Sequence, residues 1–156
     1  MRDVLITVIL SMLPISELRG AIPYAMSCGT PWYAAWPLCS AANAAVAPAC
    51  WIFLCTFHKL FLRFSFYETF FNRFVDKARK KLKNGVEKWG AFGVALFVAV
   101  PLPLTGAWTG TLGAWVLGVS KLKTIVAVIC GVIVSGGLVT AVMSLGIAAL
   151  RFFVKG

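Results

Sequence analysis

Leu13-Pro14-Ile15-Ser16-Glu17-Leu18-Arg19-Gly20-Ala21-Ile22-Pro23 places an acid and a base inside a hydrophobic stretch and brackets them with two prolines. Charges at membrane depth are costly, so they pair, face a cavity and serve transport. Proline interrupts a regular helix, and non-helical backbone survives in a bilayer only when it is buried in protein or lines water. The run therefore predicts a broken helix, with Pro14 and Pro23 as the breaking residues, and a polar cavity of transport type.

The rest of the chain fits that setting. It has 156 residues, 60% of them hydrophobic, and a mean hydropathy of +0.88, which points to an all-α integral membrane protein of one domain. The apolar start runs straight into the proline element with no small-residue cleavage pattern, so a cleaved signal is not expected. The net charge of +10 is uneven: the segment from Lys59 to Lys88 is dominated by Lys and Arg over Glu68, Asp76 and Glu87. Hydrophobic segments flank this block on both sides, so a cytoplasmic loop facing anionic lipid is expected rather than a nucleic-acid site. Cys28, Cys39, Cys50, Cys55 and Cys130 form no Cys-x-x-Cys, and small apolar neighbours suit them as small hydrophobes; no metal is expected.

Four hydrophobic stretches follow, near 4–27, 32–57, 91–118 and 124–154. The second and fourth are long enough to span a bilayer, the second despite Pro37 and Pro48. The first offers only about ten apolar residues before Pro14, half of what a straight span needs. The third is interrupted by Pro101-Leu102-Pro103-Leu104-Thr105-Gly106-Ala107-Trp108-Thr109-Gly110, with Pro101 and Pro103 as breakers. Both interrupted stretches are expected to be re-entrant helical hairpins, each followed by a transmembrane helix. A loose alignment sets Pro14 near Pro101 and Gly20 near Gly106 or Gly110, and interrupted segments at corresponding places in two halves point to a transporter's site. If both are hairpins the halves form an inverted repeat (1–57 and 90–156); the positive-inside rule does not decide between this and four plain spans.

The connector, 58–89, reads as an amphipathic helix. Leu60, Phe64, Tyr67, Phe71, Phe74, Ala78, Leu82 and Val86 recur at spacings of three and four, leaving Arg63, Arg73, Lys77, Lys80 and Lys83 to face anionic headgroups at the interface.

Glu17 is the sharpest candidate, a carboxyl held out of water that can exchange a proton. Two positions from Arg19, it does not share a helix face with it, so direct pairing needs broken backbone. The competing reading is a structural ion pair tying one hairpin to the other. Arg19 offers a planar fork of donors to an oxyanion, or simply compensates Glu17. Thr105, Gly106, Trp108 and Thr109 place hydroxyls and freed N–H groups where an anionic headgroup can be held; equally, the threonines can satisfy the broken backbone while Trp108 packs. Asn43, within a spanning helix, either lines the cavity or bonds across helices. No nucleophile elbow, phosphate loop or ligand cluster is present, so neither an enzyme nor a cofactor is expected.

On the two proline motifs and Asn43, the chain resembles the small multi-drug export protein family, a branch of the DedA-like (VTT) membrane superfamily. One departure is Leu104, where the family pattern has glycine in Pro-Gly-Thr-Gly. The resemblance implies two re-entrant hairpins in inverted repeat, an amphipathic helix between them, a homodimer, and the plasma (inner) membrane of a prokaryote. It also implies movement of polyprenyl-phosphate lipids, with protons as coupling ion and with Glu17, Arg19 and the Thr105–Thr109 turn in the essential roles. Three functions are therefore carried forward: a proton-driven flippase for an anionic lipid, efflux of cationic hydrophobic compounds, and a lipid-organising scaffold.

Overall fold

A computed structural model describes residues 2–56, 73, 89–102 and 105–155, with side chains up to residue 146. Among them there are only helices: α1 (Arg2–Met12), α2 (Glu17–Ser27), α3 (Trp32–Ala44), α4 (Val46–Thr56), α5 (Ala91–Ala99), α6 (Ala107–Val116) and α7 (Lys121–Lys155). Most of the expected connector, including Arg63, Lys77, Lys80 and Lys83, lies outside the described residues, as does Pro103; Arg73 is helical and exposed.

Two helical stretches are long and apolar enough to cross a bilayer: Trp32–Thr56, formed by α3 and α4 in succession, and Lys121–Gly146 within α7. At 1.5 Å per residue, the 25 residues of the first reach about 37 Å. Pro48 removes the N–H that would bond to Ala44, and the chain turns at Ala45 before continuing. The short helices behave differently. The 11 residues of α1 reach only about 16 Å, roughly half of the hydrocarbon core. α1 and α2 pack side by side, with Tyr24 near the end of α2 within electrostatic reach of Asp3 and Arg2 at the start of α1. α5 and α6 also fold back on each other: Gly110 in α6 lies against Val98 and Val94 of α5.

Pro23 does not break anything. It sits inside α2, where its ring suits helical φ and only one backbone bond is lost. The interruption falls at Leu13–Ser16, around Pro14. In the second half, Val100 before Pro101 turns extended, which ends α5.

α2 and α6 end alike. Gly29 and Gly118 take left-handed φ (87° and 74°), and the next residue donates its N–H back over the turn, Thr30 to Ala25 and Val119 to Ala114. These are glycine-closed helix ends, and a long helix starts just after each. The register that superposes Gly29 on Gly118 places Glu17 on Gly106, Arg19 on Trp108, and Gly20 on Thr109, one position from Gly110. Both second short helices are packed on two long ones: α2 touches α3 and α7, and α6 touches α4 and α7.

Among the described residues the exterior is apolar, and polar groups are set within an apolar core. Val4, Leu5, Ile9, Phe92, Leu96, Val126, Leu138 and Val142 are exposed, whereas Thr7, Ser11, Asn43, Thr105, Thr109, Thr111 and Ser135 are buried. An exterior of this kind needs lipid for solvent. The core is built from small residues, and α6 is buried on nearly every side. Gly131 allows α7 to lie on α5: a Cβ there would stand 2.6 Å from Val98 Cβ and 2.7 Å from the Ala95 carbonyl. Gly131→Ala is expected to cost about 1–3 kcal/mol through forced separation of the helices. Gly146→Ala meets nothing within 4 Å and should leave the melting temperature in detergent unchanged or slightly raised.

Candidate functional site

A helix that stops inside an apolar environment must find partners for its last four carbonyls. For α1 all four are met. Ile9 accepts from the Leu13 N–H (3.1 Å), and Leu10 from the Ser16 hydroxyl (2.6 Å). Ser11 accepts from Asn43 Nδ2 (2.6 Å), and Met12 from the indole Nε1 of Trp108 (2.8 Å). Two of these donors come from distant helices, α3 and α6.

The second break is closed from the first. Arg19 Nη2 donates to the Thr105 carbonyl (2.6 Å) and to its hydroxyl oxygen (2.9 Å). That hydroxyl also accepts from the Leu102 N–H (3.0 Å) and lies 2.7 Å from the carbonyls of both Val100 and Leu102. The Glu17 carboxylate sits at the N-terminus of α6, where the backbone N–H groups of Ala107 and Trp108 face it, the latter 3.5 Å from Oε1. A carboxylate there meets both unsatisfied donors and the positive end of the helix dipole.

Gly106 makes this approach possible. A Cβ at that position would collide with the Glu17 carboxylate and stand 2.6 Å from Oε1. Its backbone is extended (φ 164°), so the demand is for space alone. Glu17 itself holds a left-handed backbone, φ 43°. Non-glycine residues are held there only when their surroundings fix them, at a cost of about 1–3 kcal/mol. Among the described residues, Glu17 and Arg19 each make their side-chain hydrogen bonds to the second half rather than to one another.

The predicted residues Glu17, Arg19, Asn43, Thr105, Gly106, Trp108 and Thr109 are therefore brought together, along with Ser16, Ser11 and Ser135, which sequence reading missed. Ser16 had a signal, as a hydroxyl directly after the break; Ser135 was hidden in a run of small residues that reads as helix contact. Glu17, Arg19 and Thr105 line two small cavities. The outer, about 30 Å³, is bounded by Pro14, Ile15, Ser16 and Thr109; the inner, about 10 Å³, by Asn43, Gly106, Val132 and Ser135 among others. Neither holds more than a water or two.

Replacing Trp108 with Phe keeps the ring but strands the Met12 carbonyl. Loss of about 1–3 kcal/mol is expected, read as a lower melting temperature in detergent.

The family described as "Putative small multi-drug export protein" matches the chain over residues 17–138, well over half its length, from Glu17 just after the first break through the second break. The chain belongs to that family. No curated protein and no solved structure matches it. Membership in the small multi-drug export family, with two apolar helices of spanning length, makes this a membrane protein of export type. Among the described residues no cluster suited to a metal ion occurs.

Proposed function

We propose that the protein is a DedA-like transporter, a proton-motive-force-dependent flippase for a polyprenyl phosphate or a similar anionic lipid. The observation that carries this reading is the Glu17 carboxylate seated on the N-terminus of α6 beside Arg19. One site then serves two anions. While Glu17 is charged it holds the α6 N–H groups and the site is shut. Protonation removes the charge that the helix end attracts, and the N–H groups of α6 with the guanidinium of Arg19 become available to phosphate oxygens, partners that both groups favour. Departure of the headgroup lets Glu17 ionise and return, which couples proton to lipid. The prenyl tail stays in the bilayer throughout.

The short helices support a re-entrant arrangement: α1, α2, α5 and α6 each have the length to reach the middle of a bilayer and not its far side. The matching glycine-closed ends of α2 and α6 support an inverted repeat, with the basic 59–88 segment cytoplasmic in a prokaryotic plasma membrane. A homodimer is part of the same reading.

The family's description favours a second reading, export of cationic hydrophobic compounds, with Glu17 as counter-charge and the Trp108 ring against the cation. Arg19 separates the two: an anion site needs it, whereas a cation site improves or is indifferent when it is neutralised. The test is polyprenyl-phosphate movement across proteoliposome bilayers with and without a pH gradient, for wild type, Glu17→Gln and Arg19→Ala. Gradient-dependent movement lost in both variants is the expected result. Folded wild type that moves no polyprenyl phosphate but exports a hydrophobic cation, with Arg19→Ala still active, would replace this reading by the second.

A further inference from the structure

The inner cavity is a binding site of its own. Asn43 is fully buried, and its orientation is fixed: the Ser11 carbonyl at 2.6 Å needs a donor, so Nδ2 faces α1 and Oδ1 faces the other way. That Oδ1 finds no hydrogen-bond partner among the described residues. Asn43 shares the cavity wall with Ser135 and Arg19. Arg19 uses only Nη2 on Thr105 among the described residues, leaving further N–H donors of its rigid fork.

The chemistry of the wall selects the occupant. Asn43 Oδ1 requires a donor, and the spare guanidinium N–H groups require an acceptor. A cation would stand against Arg19, and an anion against Glu17 and the Asn43 oxygen. The ligand must therefore be neutral and able both to donate and to accept. The cavity volume of about 10 Å³ corresponds to roughly one water. We infer that a single water is bound there, donating to Asn43 Oδ1 and held by the polar groups of Arg19 and Ser135. It joins α3 and α7 to the charged residues of the first break from the side opposite the outer cavity. The unmet Asn43 oxygen requires this water whatever the protein transports.

The experiment is solid-state NMR of the full chain in lipid bilayers, reading magnetisation transfer from water protons to the Asn43 side-chain amide. A transfer peak is expected in wild type although Asn43 is fully buried. Ser135→Val, which fills the cavity, should remove that peak while exposed residues such as Trp32 keep theirs. Absence of the peak in folded wild type, with the exposed residues giving theirs, would overturn the inference, as would its persistence in folded Ser135→Val. Should that variant fail to fold, the wild-type spectrum decides alone. A dry cavity would leave the transport proposal standing, and loss of that proposal would leave the water.

Discussion

Gly106→Ala is expected to cost about 3–5 kcal/mol and to abolish transport. The added Cβ falls where the Glu17 carboxylate lies, so either the carboxylate leaves or α6 moves. Overpacking by itself costs about 1–3 kcal/mol. Displacing the carboxylate also removes its attraction to the helix end, up to about 2 kcal/mol in partly buried geometry. The α6 N–H groups of Ala107 and Trp108 would then face an apolar interior unpaired. Most single substitutions cost far less. Thermal unfolding in detergent, read by size-exclusion chromatography after heating, measures the loss. Gly20→Ala serves as a control, because its added Cβ meets chiefly the Ser16 side chain within α2's own first turn, 2.7 Å away, and not a charge.

The second large effect is expected at Arg19. Arg19→Ala strands the Thr105 carbonyl, removes one of several partners from its hydroxyl and leaves Glu17 without the positive charge beside it. Removing one partner of a buried charged network costs about 3–5 kcal/mol, reduced here because Arg19 is only half-buried; about 2–3 kcal/mol is expected. Arg19→Lys should recover part of the stability, since one ammonium can reach a single acceptor, but not transport, which needs the planar fork. Equal transport by Lys and Arg would remove the oxyanion role from this residue. Unfolding and proteoliposome assays on the same samples separate the two effects.

Much of this was legible in the chain. Glu17 and Arg19 stood out because charge inside an apolar run has few explanations, and the broken elements were visible because α1 is too short and Pro14 and Pro101 too well placed to continue a helix. The positions of the breaks were less legible. Pro23 looks as disruptive as Pro14, yet it lies within α2, because one missing N–H is tolerated once the rest of the turn is packed. The partnerships were not legible at all. Sequence spacing says that Glu17 and Arg19 do not share a face, but not that each would be used on the other half, nor that Trp108 would supply an indole N–H to Met12 rather than pack. Those pairings depend on how the halves meet, and local pattern carries no information on that. The role of Asn43 was left between two alternatives, and the structure shows both: its nitrogen bonds across helices to Ser11, and the residue lines the inner cavity.

Transport by a shared anion site requires the carboxylate of Glu17 to lie against Gly106 at the end of α6. The measurement that tests this most directly is a double-variant comparison of unfolding stability: wild type, Gly106→Ala, Glu17→Ala and the two combined. Sites in contact depart from additivity, and independent sites do not. With Glu17 truncated, the three atoms nearest the Cβ added at position 106 are gone, so Gly106→Ala should cost less than about 1 kcal/mol in that background. The same penalty of several kcal/mol in both backgrounds would mean that Glu17 does not sit on α6, and the shared-site account of transport would fall with it.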